Sequence, residues 1–486
     1  MRLAKIAEAL GGEWIGGEKE ISALNIDSRQ KIQNSLFICI KGENYDAHDL
    51  AGDALRGGAV AFITEKRLDV NAPQIIVSDS RAALGVAASV FYGNPSSKLK
   101  IIGITGTNGK TTTSYMLASI LRAAGKNVGV IGTLGVIYGR KKLPADLTTP
   151  DPIALHQTLA DMLICGVEYV VMEVSAHALY YKKTEGIEFS ACIYTNLSQD
   201  HLDFFSSMEE YGKAKKRLFS AEKCAVALLN GDDKLGREIG EERLKKGLKT
   251  LYYGIETPAE CFAIITDESL QGTECMLNIN DELCRVSLTL FGLHNVYNAL
   301  AAAACATILG AGDGIKGGLS NLKGVSGRLE RITSSKRGEI FVDFAHTPDG
   351  LEKSMSALKK YCKGKLICVF GCGGNRDAEK RAIMGEIAAK KADFTVLTSD
   401  NPRYEDPLDI ISAIEKGYRR FSTSYVIVPD RRKAISYALD MLKKEDVLLI
   451  AGKGGEEYQE IMGIKYPFND YTVVEELLAE NETRVW

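Results

Sequence analysis

The stretch between positions 98 and 125 constrains the fold of this chain more than any other segment. Lys98 to Thr105 carries Leu99, Ile101, Ile102 and Ile104 and reads as a strand buried on both faces. It runs without a spacer into Gly106-Thr107-Asn108-Gly109-Lys110-Thr111-Thr112. A helix follows, with Met116, Leu117, Ile120, Leu121 and Ala124 on one stripe and Gly125 as its C-cap. Buried strand, glycine turn and helix form a building block of a parallel α/β sheet. The turn aims backbone N–H groups and the positive end of a helix dipole at an anion. In such a loop Lys110 sits against the β- and γ-phosphates of ATP, and Thr111 offers its hydroxyl to Mg2+. The usual P-loop spacing is missed by one residue, because Ile104 stands five positions before Gly109 and the glycines are Gly103 and Gly106. A plain strand-to-helix turn has no need of Gly-Lys-Thr-Thr-Thr, so the loop is read as nucleotide-binding.

A second cluster, Asp400-Asn401-Pro402-Arg403, joins an acid, an amide and a guanidinium in the last third of the chain. Both charge signs in four residues suit a zwitterion such as an amino acid. With the phosphate loop, it points to an ATP-driven ligase that adds an amino acid to a carboxylate. At 486 residues the chain exceeds one hydrophobic core. The net charge of −3 gives no support for nucleic-acid binding. The eleven cysteines contain no Cys-x-x-Cys pair and read as reduced cytosolic thiols. Met1 to Gly11 lacks the apolar core of a signal peptide, and the longest apolar run, Ala299 to Gly312, is short for a spanning helix and reads as a buried one. A soluble cytoplasmic protein without membrane insertion is expected.

Three α/β domains are expected. Residues 1–97 form a small unit with strands at Ser35–Ile40, Ala59–Ile63 and Gln74–Val77, closed by Gly93-Asn94-Pro95-Ser96-Ser97. Residues 98–330 form a parallel-sheet unit around the glycine loop, with further strands at Val128–Ile131, Tyr169–Val174, Ala191–Thr195 and Ala225–Leu229. Residues 331–486 form a second, doubly wound unit with strands at Glu339–Val342, Leu366–Phe370, Phe394–Thr398, Tyr425–Val428 and Val447–Ala451.

Ile104-Thr105-Gly106-Thr107-Asn108-Gly109-Lys110-Thr111-Thr112 resembles the ATP loop of the Mur ligases, which build the peptide stem of the bacterial cell wall. Their three domains bind UDP-substrate, ATP and amino acid in chain order, as the boundaries above do. Met172-Glu173-Val174-Ser175-Ala176-His177 is similar to the MurE-type segment whose glutamate holds Mg2+, and Asn196 to Asp203 to the second-metal segment with its histidine, here His201. Apart from the resemblance, a lone Glu173 or His201 is more often a solvated acid or a hydrogen-bonded imidazole; both behind an ATP loop favour a metal. The resemblance implies that Lys215, in Tyr211 to Phe219, carries a CO2-derived carbamate. An ammonium repels Mg2+, whereas a carbamate is a hard anionic oxygen ligand. The implied metal set is Thr111, Glu173, His201 and carbamylated Lys215, and the implied catalytic set is Lys110, Glu173, His201 and Lys215.

On the acceptor side the resemblance implies contacts from Ser28 (in Asp27-Ser28-Arg29), from Thr148 and Thr149 (in Leu147-Thr148-Thr149-Pro150-Asp151), and from Ser175. Lys183 stands where the family commonly has arginine, which removes the bidentate fork. The resemblance also implies that Asn295, in Gly292 to Asn298, lies near the adenine, that Arg328 marks the hinge into the last domain, and that Asp343 and His346 approach the nucleotide from that domain. For the added amino acid, expected to be meso-2,6-diaminopimelate, the implied contacts are Arg376, Asp400, Asn401, Pro402, Arg403, Gly452 and Glu456. Arg403 would take the distal carboxylate that lysine lacks. Asn375 and Gly455 replace the family's usual Asp and His. The expected acceptor is UDP-MurNAc-L-Ala-D-Glu, and a monomer is expected. An L-lysine-adding enzyme differs in the amino-acid cluster, and Arg403 argues against it. A folylpolyglutamate-synthase-like ligase lacks the N-terminal unit and the Thr-Thr-Pro-Asp segment. Intact Lys110, Glu173, His201 and Lys215 argue against a non-catalytic nucleotide-binding regulator.

Overall fold

A computed structural model describes residues 1–42, 45–144, 147–332 and 337–483. Three sheets organise the chain, and each has its own core. In the first, Ala23–Asn25, Ser35–Ile38, Ala59–Thr64 and Gln74–Ile76 run parallel, with Glu13–Ile15 antiparallel on one edge.

The second sheet has eleven strands. Its middle is parallel, in the order Thr250–Gly254, Ala227–Asn230, Ala191–Tyr194, Lys100–Thr105, Tyr169–Glu173, Val128–Gly132. The Lys100–Thr105 strand is buried on both faces, as its unbroken apolar run requires. Ile102 and Ile104 pack in the core containing helix Lys110–Ala123 and the alanine-rich helix Leu293–Ile308. Ile101 lies in the opposite core with Leu155 and Leu159 of helix Pro152–Ile164. Burying each such side chain contributes about 1.5–3 kcal/mol. Alanine along Leu293–Ile308 lets that helix sit close to the sheet; its residues 299–306 are all buried.

Sequence patterning did not reveal the edges of this sheet. Cys261–Ser269, Gly272–Ile279 and Glu282–Leu288 form an antiparallel meander at one end, and Gly135–Tyr138 and Lys141–Leu143 another at the opposite end. Cys261–Ser269 alternates buried and exposed residues over its first half, so it carries none of the continuous apolar signal of the parallel strands.

The third sheet runs Glu330–Ile332, Glu339–Asp343, Val447–Ala451, Leu366–Phe370, Phe394–Leu397, Tyr425–Ile427, parallel except for its first strand. A hairpin of Tyr458–Ile461 and Ile464–Pro467 precedes the last helix, Asp470–Thr483. Among the described residues no helix is long and apolar enough to cross a membrane. All eleven cysteines are free.

Most expected site segments directly follow parallel strands: the glycine loop after Lys100–Thr105, Glu173 at the end of its strand, residues 196–201 after Ala191–Tyr194, residues 371–376 after Leu366–Phe370, residues 400–403 after Phe394–Leu397, and Gly452 after Val447–Ala451. The carboxyl ends of parallel strands are where open α/β sheets bind ligands.

Candidate active site

The glycine loop is fixed by contacts that tolerate no side chain. Gly106 has φ +149°, and a Cβ there would lie 1.9 Å from Thr195 Oγ1; Gly109 has φ +87° and would press a Cβ to 2.4 Å from Asn298 Oδ1. The next strand's loop holds the turn from outside. Thr107 N donates to Asn196 O at 2.8 Å, and Asn108 N to Asn196 Oδ1 at 3.0 Å. Lys110 opens the helix and curls back, its Nζ donating to Gly106 O and Thr107 O, both at 2.9 Å. Burial lowers the Lys110 ammonium from its ordinary range, while Glu173 and Asp200 pull it the other way. Thr112 is buried in the first turn.

Thr111 and Glu173 meet. The carboxylate is fully buried and accepts from Thr111 Oγ1 at 2.9 Å, from Thr133 N at 3.0 Å and from Thr133 Oγ1 at 3.2 Å. The register sets Glu173 beside Ile104, two residues before the loop. Gly132 makes room: a Cβ there would sit 2.1 Å from Glu173 Oε1. Thr133 escaped the sequence reading; nothing in its local pattern signals that it will reach a strand neighbour's carboxylate.

His201 stands in the left-handed region at φ +57°, with Nε2 3.3 Å from Asp200 Oδ2 and its ring 4.7 Å from that of His177. Burial holds the imidazole down at about 3, so it is neutral and able to ligate. Lys215 is almost completely buried. Its Nζ lies 4.1 Å over the Tyr211 ring, and among the described residues it makes no ion pair. Burial pushes its ammonium well below the ordinary range, with the positive charge of Lys110 adding to the effect. Asp200 and Asp233 oppose the shift from farther off, but a buried lysine with no carboxylate in contact is costly as an ammonium. Hard oxygens at Thr111 and Glu173, a neutral imidazole and this amine form a donor set that fits Mg2+ once the amine carries a carboxylate. Among the described residues no three His, Cys, Asp or Glu side chains form a metal site by themselves.

The acceptor candidates divide. Thr149 Oγ1 donates to Glu173 O at 2.9 Å and accepts from Ser175 N at 3.0 Å, and Thr148 Oγ1 is 3.1 Å from Thr133 Oγ1, so these three residues adjoin the Glu173 cluster. Ser175 Oγ caps the short helix Ala176–Tyr180. Lys183 pairs with Asp151 at 2.7 Å, fastening the end of the Thr-Thr-Pro-Asp segment. Asp151 therefore stands in the N-cap position of helix Pro152–Ile164 without a side-chain cap bond. Ser28 lies in the N-terminal domain, in a turn that Asp27 braces through Arg29 Nε at 2.8 Å; among the described residues no hydrogen bond links it to the residues above.

The hinge joins the two halves of the site. Arg328 Nη2 donates to Thr111 Oγ1 at 3.0 Å, and its guanidinium lies 4.4 Å over the Phe344 ring. Asp349 Oδ2 accepts from Asn108 Nδ2 at 2.7 Å and Ser198 Oγ at 3.1 Å, a link across domains that the sequence did not assign. Asp343 spends its carboxylate on Leu329 N at 2.7 Å, Ser354 Oγ at 2.8 Å and Ala345 N at 3.1 Å, so it braces the hinge turn. His346 Nδ1 lies 2.8 Å from Phe344 O, and burial lowers its imidazole. Asn295 is buried and donates to Phe291 O at 2.8 Å; its neighbour Asn298 ties that helix to Thr113 at 3.2 Å.

In the third domain, Asn401 Nδ2 donates to Glu456 Oε2 at 2.8 Å, while its Oδ1 accepts from Lys453 Nζ and Glu460 N, both at 2.9 Å. Lys453, fully buried, also donates to Glu456 Oε2 at 2.7 Å. Sequence reasoning singled out Gly452 and Glu456 on either side of Lys453 but gave Lys453 no role. Asp400 accepts from Asn401 N at 2.6 Å; Gly452, at φ +116°, would bring a Cβ within 2.5 Å of Asp400 Oδ2. Pro402 O would meet a Cβ on Gly374 at 1.9 Å, so the 371–376 and 400–403 loops lie against each other. Arg403 Nη1 donates to Gly374 O at 2.8 Å. Arg376 is exposed. Gly455 abuts the hinge, where a Cβ on Gly327 would lie 2.0 Å from its nitrogen. A small cavity there is lined by Thr133, Leu134, Arg328, Phe344, Gly455 and Glu456, and so spans both domains.

Residues 104–306 match the Mur ligase middle domain, and residues 327–454 the Mur ligase glutamate ligase domain. A protein of Caldanaerobacter subterraneus subsp. tengcongensis named UDP-N-acetylmuramoyl-L-alanyl-D-glutamate–2,6-diaminopimelate ligase is 43% identical over 486 residues, covering 99% of this chain and 100% of its own. One of the same name from Geobacillus thermodenitrificans is 39% identical over 490 residues, with 99% and 100% covered. A solved structure of a ligase of that name superposes with a TM-score of 0.69 at 31% identity, covering 95% of each chain.

Proposed function

The chain belongs to the Mur ligase family, and from that premise we propose the reaction its site performs. It is an ATP-dependent amide ligase that joins meso-2,6-diaminopimelate to the D-glutamyl γ-carboxylate of UDP-MurNAc-L-Ala-D-Glu, in peptidoglycan precursor synthesis. The observation that carries this reading is the cavity shared by Thr133 and Arg328 on the nucleotide side and Gly455 and Glu456 on the amino-acid side. Phosphoryl transfer and amide formation need their two sites to open onto one space.

The acceptor γ-carboxylate attacks the γ-phosphorus of ATP, and ADP leaves. The amine of diaminopimelate then attacks the acyl-phosphate carbon, phosphate departs, and the amine's proton is lost to solvent. Lys110 leaves the loop carbonyls for the phosphates, and with Arg328 it neutralises charge on the transferring oxygens. Thr111, Glu173, His201 and a carbamylated Lys215 would hold Mg2+, which supplies further charge neutralisation when bound. Thr148, Thr149, Ser175 and Lys183 hold the acceptor beside Glu173, and Ser28 contacts its uridine end. Arg328 and Asp349 close the last domain over the nucleotide and keep water from the acyl phosphate. Asp400, Asn401 and Glu456 receive the ammonium end of the diamino acid, and Arg376 and Arg403 its carboxylates. We place the domain divisions near 97/98 and 330/331, supported by the new sheets that open at Lys100 and Glu330. The enzyme works as a cytoplasmic monomer.

The test is phosphate release from ATP in the presence of UDP-MurNAc-L-Ala-D-Glu, with meso-diaminopimelate or L-lysine added. Turnover with diaminopimelate and at most a trace with lysine is expected. Preference for lysine would remove the carboxylate-clamp reading of Arg376 and Arg403, and silence with both would remove the acceptor assignment.

A further inference from the structure

The hairpin Tyr458–Ile461 and Ile464–Pro467 lies outside the six-stranded sheet, yet four hydrogen bonds stitch it to Asp400, Asn401 and Arg403. Gln459 Nε2 donates to Asp400 O at 2.7 Å, and Glu460 N to Asn401 Oδ1 at 2.9 Å. Arg403 N donates to Glu460 O at 3.0 Å, and Met462 N to Arg403 O at 2.7 Å. The hairpin turns tightly through Met462 and Gly463, both at positive φ. Arg403 itself sits at φ +53°, a conformation that a residue with a side chain adopts only when its surroundings impose it. Those two backbone hydrogen bonds impose it.

The side chain is constrained as firmly. Arg403 Nε lies 3.2 Å from Glu460 Oε2, and Nη1 donates to Gly374 O at 2.8 Å. Both side chains are about one-fifth exposed, so neither swings freely in solvent. Among the described residues Nη2 makes no hydrogen bond. A guanidinium presents its donors in one plane, so anchoring Nε and Nη1 also fixes where Nη2 points. Fixing it in advance removes an ordering cost from ligand binding.

We propose that Glu460 is a positioning residue for recognition of the distal carboxylate of the added amino acid. It acts through Arg403, by occupying Nε and leaving the Nη2 edge to the ligand. This rests on the functional reading above, in which Arg403 meets that carboxylate. A negative charge beside a carboxylate site would by itself weaken binding, so geometry and charge predict opposite signs for removal of Glu460. That makes the proposal sharp.

The experiment compares wild type, Glu460→Ala, Glu460→Gln, Arg403→Ala and the double variant Glu460→Ala/Arg403→Ala, with steady-state kinetics for each substrate. The alanine change leaves the backbone hydrogen bonds of residue 460 available. Losing one charge-assisted contact to Arg403 should raise KM for meso-diaminopimelate about tenfold in Glu460→Ala. KM values for ATP and the UDP-linked acceptor should hold, as should any residual lysine-dependent turnover, because lysine has no distal carboxylate. Glu460→Gln keeps an oxygen on Nε and should recover most of the loss. In the Arg403→Ala background, removing Glu460 should add nothing. An unchanged or lowered KM in Glu460→Ala, a rise shared by all three substrates, or an equal penalty without Arg403 would each overturn the proposal. Wild type that fails to use diaminopimelate would overturn the functional reading and this proposal with it.

Discussion

Lys215 poses the sharpest question at the scale of single residues. Its ammonium is buried with Lys110 as a charged neighbour and without an ion pair among the described residues. As an ammonium it would repel a metal at the proposed Thr111 and Glu173 site; as a carbamate it would complete the proposed donor set. Lys215→Ala should therefore lose activity by several orders of magnitude while remaining folded, since alanine removes a poorly solvated charge. Millimolar acetate or propionate should restore part of the rate by filling the vacated space with a carboxylate. The check is phosphate release against carboxylate concentration. Full activity of the variant without additives would end the carbamate reading.

Which residues were legible in the sequence follows from where their constraints originate. Gly106, Gly109 and Gly452 announce themselves because local backbone and close packing exclude any other residue. Thr133, Lys453 and Asp349 were silent. Their partners Glu173, Asn401 and Asn108 come from other strands or domains, and a threonine or lysine in sequence looks the same whether it faces water or a buried carboxylate.

Among elements, the parallel strands were legible because burial on both faces demands runs such as Leu366-Ile367-Cys368-Val369-Phe370, all buried. The hairpin Tyr458–Pro467 was illegible: its second strand is exposed at all four residues, and its role lies in backbone contacts that no side-chain pattern encodes. Beneath it, Arg431 at the start of helix Arg431–Met441 and Asp470 at the start of Asp470–Thr483 form a fully buried bidentate pair, with both hydrogen bonds at 2.7 Å. Arg431 also donates to Ser399 O at 3.2 Å and Ala451 O at 3.0 Å, the residues preceding Asp400 and Gly452. The pair thus anchors two helices beneath the loops that carry Asp400 and Gly452. Asp470→Asn leaves the guanidinium buried without a counter-charge and should destabilise the protein by about 3–5 kcal/mol. Arg431→Met/Asp470→Leu should cost much less, because it removes both charges. Urea denaturation of the three proteins checks this; equal losses for single and double variants would show that packing, not the unpaired charge, sets the penalty.

The whole molecule depends on how its domains are joined as well as on the cleft between them. The N-terminal helix Ser80–Phe91 packs against the central domain through the segment around Glu185. Gly85 approaches so closely that a Cβ there would lie 2.5 Å from Glu185 O, and Ser89 Oγ donates to Gly186 O at 3.1 Å. On the central side of this joint His156 is fully buried. Its Nε2 lies 3.2 Å from Glu185 O, and its Nδ1 has no partner. Burial lowers this imidazole from its ordinary 6.5 to about 4, with the bond to Glu185 O opposing the shift weakly. The native protein therefore keeps His156 neutral where the unfolded chain already binds a proton. Stability from this residue is complete above pH 6.5 and is lost progressively as pH falls through 6.5 towards 4, where the loss amounts to about 3 kcal/mol. His156→Gln cannot take up that proton. Its urea midpoint, measured beside wild type from pH 7 to pH 4.5, should start lower, because an amide fits the imidazole's site imperfectly. It should then fall less steeply, so that the two curves converge in acid. Parallel curves would mean that His156 is protonated as readily in the native joint as in the unfolded chain, and the acid sensitivity of the assembly would have to originate elsewhere.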